Sequence, residues 1–310
     1  MNKLQKALDE YLAMRRALGF KLRLAGRLLQ KFVVFAEQNN ASFITTDLAL
    51  RWATQPADVQ PAQWANRLGM ARRFAQYLSG ADSRTEIPPP GLLPHRYHRK
   101  PPHIYTEDEI TRLIGAARQL PSPSGLRAAT YSTLFGLLTV TGMRMGEPIA
   151  LNQEHVDLAE GILTVRKTKF GKSRLVPIHP TTQNALRQYA RLRDRLWPKP
   201  KTGAFFVSEH GARLTDSVVR WTFVRLSRQI GIRGPDDSHG PRLHDLRHGF
   251  AIETLLEWYR AGVDVEHHLP TLATYLGHGH VTDTYWYLSA TPELLRLAML
   301  RVDGNEGPSS

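Results

Sequence analysis

The chain has 310 residues, 42% of them hydrophobic, which is enough for two domains with buried cores. Its formal charge of +13 indicates a polyanionic partner, either a nucleic acid or an anionic membrane surface. No run approaches the ~18 uncharged apolar residues of a membrane span, the N-terminus lacks the apolar core of a signal peptide, and no cysteine is present for disulfides or thiolate metal sites, so the sequence favours a soluble, cytoplasmic protein.

The first part of the chain predicts a small helical domain over residues 1–83. Apolar residues recur at helical spacing from Leu4 to Gln38 with an interruption around Gly19, which indicates two amphipathic helices, and Thr46 and Pro61 mark the starts of two more. Residues 1–100 hold 16 Lys and Arg against 7 Asp and Glu. Because this third carries about +9 of the total charge, it is the main candidate for an electrostatic DNA clamp.

A proline-rich basic segment follows at residues 84–103. Proline breaks helices, so we expect an extended, positively charged linker here. Thr106 and Glu109 have the spacing of a capping box, which predicts the first helix of a second domain over residues 104–302. The polar residues 303–310 predict a disordered tail.

The second domain predicts helices around a small β-structure. The apolar stretch 131–140 predicts a buried helix that ends near Gly142. Strands are predicted at 162–165, 174–178 and 204–207, the first two joined as a hairpin. Later helices are predicted at residues 244–260, from Pro270 to a stop at Gly277, and from Thr291. The fold class is therefore mainly α with a small antiparallel β-sheet (α+β).

Two basic motifs of this domain could hold one phosphodiester. Arg144 follows a Thr-Gly break, and His244 and Arg247 share one face of a helix because three residues separate them. Guanidinium forks match the two non-bridging phosphate oxygens, so Arg144 and Arg247 together suffice to bind them. Taken singly, each motif is equally consistent with an exposed basic surface.

A lysine-rich turn and two tyrosines could supply the chemistry. A lysine of the turn 167–172 could protonate a departing 5′ oxygen, and Lys169 is the candidate; a solvated charge run is the alternative. Tyr285 and Tyr287 are candidate nucleophiles. A phenol has a pKa near 10, so it needs a cationic or hydrogen-bonding environment, which His244 or His278 could provide. Otherwise both tyrosines are core aromatics.

Metal binding is not expected. His244 and His248 have the i, i+4 spacing of a metal pair, but no third ligand stands at an interpretable position, and His248 is interpreted as a structural, hydrogen-bonded histidine. The segment 264–268 contains Asp, Glu and two His, yet it precedes a proline-started helix and is interpreted as a solvated loop.

In this order, the motifs resemble the tyrosine recombinase (phage integrase) family. Its pattern is Thr-Gly-x-Arg-x-x-Glu, a hairpin Lys, His-x-x-Arg, Leu-Gly-His and a Tyr nine residues beyond. The catalytic set that the resemblance implies is Arg144, Lys169, His244, Arg247, His278 and Tyr287. Lys169 is selected because it lies five residues before the strand that starts at Arg174, and the spacing from His278 favours Tyr287 over Tyr285. Glu147 matches the acidic residue after the first arginine.

The resemblance implies strand exchange without metal, ATP or any other cofactor, through a 3′-phosphotyrosyl link at Tyr287. It further implies that double-stranded DNA is the partner and that the chain assembles on it as a tetramer, alone or with related recombinase subunits, in the cytoplasm at the nucleoid. A mobile element is the expected genetic context. An apolar stripe in residues 294–300 could dock on a neighbouring subunit or pack in cis.

Two other functions remain open from the sequence. A type IB topoisomerase uses the same tyrosine chemistry, and relaxation of supercoiled DNA without sequence preference would favour it. A DNA-binding regulator without catalysis would need the basic surface alone. The complete tyrosine and arginine set argues against the regulator.

Overall fold

A computed structural model describes residues 3–96, 101–166, 173–237, 239–289 and 291–305. The chain divides into two compact units, Met1–Lys100 and Pro101–Ser310. The architecture is mainly helical with one small antiparallel sheet, which confirms the predicted fold class. Within the described residues, no helix is both long and apolar enough to traverse a bilayer.

The described part of the first unit contains four helices around one core. They are α1 (Lys3–Ala17), α2 (Arg23–Gln38), α3 (Thr46–Thr54) and α4 (Pro61–Leu78). Leu8, Phe32 and Trp52 are enclosed at its centre. The two helices predicted from the apolar spacing, and those predicted from Thr46 and Pro61, are confirmed.

The segment after α4 packs against the rest of the first unit. Thr85 is buried, and the Glu86 amide donates a hydrogen bond to the Ile44 carbonyl at 2.8 Å. Arg72 donates to the carbonyl of Pro88 at 2.7 Å. Residues 84–96 contain no helix. The first residues of the proline-rich segment therefore pack through their backbone on α4 and on the connection between α2 and α3, while the basic residues Arg99 and Lys100 lie outside the described residues.

The second unit has helices before and after its sheet in the chain. Those that lead to the sheet are α5 (Glu107–Arg118), α6 (Leu126–Thr141) and α7 (Gly146–Ala150). Those that follow it are α8 (Pro180–Leu196), α9 (Asp216–Gln229), α10 (Leu243–Arg260), α11 (Val265–Leu276), α12 (Thr282–Tyr285) and α13 (Pro292–Asn305). The capping box predicted at Thr106 is present, with both of its hydrogen bonds.

The sheet has three antiparallel strands, β1 (Val156–Asp157), β2 (Ile162–Val165) and β3 (Arg174–Pro177). The predicted hairpin is confirmed, with Leu163 opposite Val176. The third strand predicted at 204–207 is wrong, because this segment forms only isolated bridges. All four of its residues are buried, and a fully buried apolar run cannot be told from a strand by periodicity alone.

Helix α11 begins earlier than predicted. Asp264 caps it by accepting a hydrogen bond from the His267 amide at 3.1 Å, so the segment interpreted as a solvated loop is the first turns of the helix. Pro270 lies inside the helix and not at its start. Buried Val265 and Leu269 anchor these turns, and that packing outweighs the one backbone hydrogen bond that proline removes. The stop at Gly277 is confirmed.

The last helix, α13, extends to Asn305, beyond the boundary predicted at residue 302. Leu294 is fully buried and belongs to a cluster with residues of α10 and α11 and with Tyr287. Leu295, Met299 and Leu300 are exposed. One face of α13 therefore packs in cis, and the other carries an open apolar stripe.

Candidate active site

The site is built where α6 ends, because the backbone there must turn sharply beneath α10. Gly142 has φ +57°, and a Cβ at this position would lie 2.5 Å from a ring carbon of Phe250. Only glycine satisfies both conditions. The turn brings Arg144 to Glu147: the Arg144 amide donates to Glu147 Oε2 at 2.9 Å, and its Nη1 donates to Oε1 at 3.1 Å.

Three consecutive carbonyls at the C-terminus of α11 each accept a hydrogen bond from a different arginine. Arg174 Nε donates to the Tyr275 carbonyl at 2.6 Å, Arg247 Nη2 to Leu276 at 2.8 Å, and Arg144 Nη2 to Gly277 at 2.9 Å. The last carbonyls of a helix have no intrahelical partner and lie at the negative end of its dipole. The Leu-Gly-His turn thus gathers three positive charges.

Arg247 is almost completely buried, with 2% of its surface exposed. Besides Leu276, it donates to the Gly142 carbonyl at 2.8 Å, so its hydrogen bonds go to neutral groups. Burial, followed by the charge of Arg144, lowers the pKa of Arg247 to about 10. It remains protonated near neutral pH, and a buried cation whose partners are neutral favours an anionic ligand.

Glu147 accepts four hydrogen bonds with two oxygens. Two come from Arg144, and two come from the Arg174 fork, at 3.0 Å to Oε1 and 2.7 Å to Oε2. Burial opposes ionisation of Glu147, but the hydrogen bonds and charge of Arg174, with those of Arg144, outweigh it and lower the pKa. Sequence reasoning used Arg174 only to mark a strand and missed its place in the site.

The three imidazoles of the site have pKa values below the usual histidine value. Burial is the largest cause for each; Arg247 adds to it for His244 and His278, and His244 adds to it for His248. The pKa falls to about 4 for both His248 and His278. His244 keeps an exposed edge, yet protein atoms displace part of its hydration. These rings are therefore largely neutral near pH 7.

The surroundings of the two rings near Tyr287 differ. His278 Nδ1 lies 2.7 Å from the hydroxyl of the buried Thr284. His248 Nδ1 is buried and has no hydrogen-bond partner among the described residues, so the hydrogen bond predicted for His248 is not formed at this nitrogen. No group of three metal-ligating side chains occurs within the described ranges.

Tyr287 lies inside the site, whereas Tyr285 points outward. Tyr287 stands on a 3₁₀ turn, Trp286–Ser289, and its ring is parallel to that of His278 with centroids 6.1 Å apart. The His248 ring lies 5.5 Å away. Only 3% of Tyr287 is exposed, against 48% of Tyr285.

The structure thus brings together Arg144, His244, Arg247, His278 and Tyr287, five of the six residues of the implied catalytic set. Lys169, with the rest of the lysine-rich segment 167–172, lies outside the described residues. Strand β3 starts soon after this segment in sequence, and its first residue, Arg174, contacts Glu147 in the site.

A cleft of about 490 Å³ opens beside Arg144 and His244. Its charged lining also includes Arg220, Arg233, Arg242 and Asp216. Cations outnumber the single carboxylate, so the cleft favours a polyanion next to the gathered arginines.

Known proteins resemble this chain in sequence and in fold. Residues 104–293 match the phage integrase family. A candidate integrase/recombinase of Sinorhizobium fredii, y4rB, is 50% identical over 307 residues, which are 98% of each chain. The tyrosine recombinase XerD of Caulobacter vibrioides is 30% identical over 240 residues, 76% of this chain and 73% of that protein. The fold is similar to that of the Tn1549 transposon integrase in complex with transposon right end DNA, with a TM-score of 0.65 at 17% identity over 98% of this chain and 100% of that one. The chain belongs to the phage integrase family of tyrosine recombinases.

Proposed function

We propose that this chain is a site-specific DNA recombinase that cuts and rejoins duplex DNA through a phosphotyrosyl intermediate. The observation that carries the proposal is the convergence of Arg144 and Arg247 on the end of α11, next to His278, whose ring is parallel to that of Tyr287. A phosphodiester needs two cationic forks and a nucleophile, and this arrangement offers them within one domain.

In the cleavage step, the Tyr287 oxygen attacks the scissile phosphorus and the bond to the 5′ oxygen breaks, which leaves tyrosine joined to the 3′ phosphate. Arg144 and Arg247 stabilise the charge that grows on the non-bridging oxygens. His244 and His278 bind the same charge, and either can accept the phenol proton because the imidazoles are neutral. Lys169 protonates the departing 5′ oxygen.

Rejoining reverses these steps on a second strand. The 5′ hydroxyl of a partner duplex gives its proton to Lys169 and attacks the phosphotyrosyl phosphorus, the bond from phosphorus to the Tyr287 oxygen breaks, and the imidazolium returns the proton to that oxygen. The phosphodiester energy is kept in the tyrosyl link, so the reaction needs no ATP, and the family resemblance implies that it uses no metal or other cofactor. The mobile-element context of the proposal is supported by the likeness to a transposon integrase.

We place double-stranded DNA against the basic cleft and against the first unit. Residues 1–83 of that unit act as an electrostatic clamp on the DNA. Residues 1–100 carry about +9 of the charge of +13, and phosphate contacts dominate binding of this kind. The proposed assembly is a homotetramer on DNA, alone or with related recombinase subunits. Its place of action is the cytoplasm, at the nucleoid, where its DNA substrate lies.

The experiment is covalent capture. Wild type, Tyr287→Phe and Tyr285→Phe are incubated with duplexes from the flanks of the native gene, quenched in detergent and digested for mapping of any DNA-linked peptide. We expect adducts from wild type and Tyr285→Phe and none from Tyr287→Phe. Sequencing of the attached DNA then identifies the target.

Other outcomes separate the competing functions. Tight DNA binding by wild type without any adduct would contradict the recombinase and favour a regulator. Adducts accompanied by relaxation of supercoiled plasmid irrespective of sequence would favour a topoisomerase. Adducts at one sequence, with strand exchange between two duplexes, support the recombinase.

A further inference from the structure

We infer that Arg174 is a positioning residue: by neutralising and fixing Glu147, it keeps Arg144 available as a cation for the scissile phosphate. The inference rests on the proposed function, in which Arg144 binds that phosphate. Arg174 itself reaches no reacting atom. It acts through Glu147 and through the end of α11.

Arg174 is held by three elements at once. It starts β3, its Nη1 and Nη2 form a fork on Glu147 of α7, and its Nε donates to the Tyr275 carbonyl of α11. The side chains of Arg174 and Glu147 are 8% and 7% exposed. A bidentate, buried guanidinium–carboxylate pair has one defined geometry, so it fixes the carboxylate that receives Arg144.

The space around this pair is closed. Gly277 has φ +70°, and a Cβ there would lie 2.8 Å from Arg174 Nη1. The Gly277 carbonyl accepts from Arg144. The turn that ends α11 therefore packs on Arg174 from one side and orients Arg144 from the other, which places the two arginines in a fixed relation.

The charges explain why a second arginine is needed. Glu147 binds Arg144 through its side chain and its amide, and alone it would cancel the charge of that arginine. With Arg174 present, two guanidinium groups share one carboxylate and one positive charge remains for a ligand. Loss of Arg174 would leave a buried carboxylate paired to Arg144 only, and that pair would present no net charge to a phosphate.

The test compares Arg174→Gln with the double variant Arg174→Gln/Glu147→Gln. Removal of the guanidinium alone leaves Arg144 neutralised, whereas removal of both groups restores one net positive charge. We measure the single-turnover rate of phosphotyrosyl formation on the duplex identified by covalent capture, and the dissociation constant by gel shift. We expect Arg174→Gln to slow adduct formation about a hundredfold with binding changed less than about threefold, and the double variant to recover about tenfold of that loss.

Arg193→Gln is the matched control. Arg193 is also buried, at 4% exposure, and pairs with Asp194 while donating to the Phe205 carbonyl, in the same domain but outside the site. Its loss should reduce the thermal unfolding temperature without changing the rate of adduct formation in folded protein. Circular dichroism at the assay temperature establishes that each variant is folded, and Arg174→Met, which also removes the positive charge, replaces Arg174→Gln if the latter is not.

A second substrate distinguishes an effect of Arg174 on Arg144 from an effect on the lysine-rich segment that precedes Arg174 in sequence. Sulfur in place of the bridging 5′ oxygen makes a leaving group that needs no proton donor. On this substrate the Arg174 variants should still form the phosphotyrosyl adduct slowly. Lys169→Ala should recover its rate of adduct formation. Recovery of the Arg174 variants would show action on the proton donor and overturn the inference.

The remaining outcomes are also decisive. An Arg174→Gln rate equal to that of wild type, or a double variant no faster than the single one, overturns the inference and leaves the proposed function intact. A wild-type chain that forms no adduct overturns both.

Discussion

At the scale of residues, the site depends on carbonyl groups as much as on side chains. The carbonyls of Tyr275, Leu276 and Gly277 orient Arg174, Arg247 and Arg144 in succession. Backbone acceptors do not titrate, so they leave the arginines charged. The glycine that ends α11 therefore has a functional role in addition to terminating the helix.

Gly277→Ala is expected to damage both stability and cleavage. The substitution places a side chain at φ +70° and forces it against Arg174, so we expect a loss of about 1–3 kcal/mol in the free energy of unfolding and slower adduct formation. Gly262→Ala is the control, because Gly262 has φ +72° with nothing within 4 Å. Urea unfolding and single-turnover cleavage measure the two effects. Equal effects of both substitutions on cleavage would contradict the steric argument.

His248 and His278 should make stability depend on pH. Burial lowers the pKa of each to about 4 from an ordinary value of 6.5. Between these values the unfolded chain binds protons that the folded chain does not, so their contribution to stability is complete above about pH 6.5 and is lost as pH falls towards about 4.

Replacement of His248 by leucine should flatten this dependence. Leucine cannot be protonated and suits a position between Trp286 and Tyr287, where the ring nitrogen Nδ1 has no partner in the described structure. Urea midpoints at pH 7 and pH 5 should therefore differ less for His248→Leu than for wild type. The exposed His210 is the control site, and His210→Gln should keep the wild-type difference. A variant that loses as much stability as wild type at pH 5 would contradict the assignment.

At the scale of elements, α13 has two faces with different environments. Leu294 is buried against the α10 and α11 cluster, while Leu295, Met299 and Leu300 are exposed at 47%, 65% and 55%. The open stripe supports a docking role on a second copy of the chain in the proposed tetramer. Deletion of residues 291–310 should therefore weaken assembly on DNA more than single-site binding, but it would also uncover the core beneath Leu294.

Met299→Glu is the sharper test of docking. A charge in a buried contact between subunits should raise the protein concentration needed for the tetrameric complex by about tenfold to a hundredfold, since burying one methionine contributes about 1.5–3 kcal/mol. Occupancy of a single site should not change, because Met299 is exposed on the chain itself. Gel-shift titration resolves the two species, and Met299→Leu should resemble wild type. Equal losses of single-site and tetrameric complexes would contradict docking through this face.

At the scale of the whole molecule, the charge is distributed unevenly. The first unit holds most of the net charge, whereas four arginines of the second unit, Arg144, Arg220, Arg233 and Arg242, line one cleft. Substitutions can therefore change the long-range attraction of the first unit for DNA and the binding of a phosphate near the cleft separately. Salt reports on the first of these, because neutralised phosphates release counterions.

DNA affinity should fall steeply with salt. The slope of log affinity against log salt should be near −0.9 per neutralised phosphate, and Arg73→Gln, at an exposed position of α4, should reduce its magnitude by about 0.9. Arg51→Gln is the control, since Arg51 is already paired with Asp47 at 2.9 Å. Gel shifts at several salt concentrations give the slopes. A flat response of wild type would contradict the basic clamp.

The class of chemistry, the order of the motifs and most of the local structure can be predicted from the amino-acid sequence. Apolar spacing predicts α1 and α2, the Thr106 capping box predicts α5, and the motif spacing of the family that the chain resembles selects Tyr287 over Tyr285. These features are written in residues close together in the chain, so local periodicity and motif spacing are sufficient to find them.

Contacts between distant segments of the chain depend on tertiary packing. The contact of Arg144 with Gly277 spans 133 residues, and that of Arg174 with Tyr275 spans 101. No local pattern encodes such pairs, so the role of Arg174 and the burial of Tyr287 could not be predicted. The start of α11 before Pro270 was missed for the same reason: tertiary packing of Val265 and Leu269 overrides the local signal of a proline.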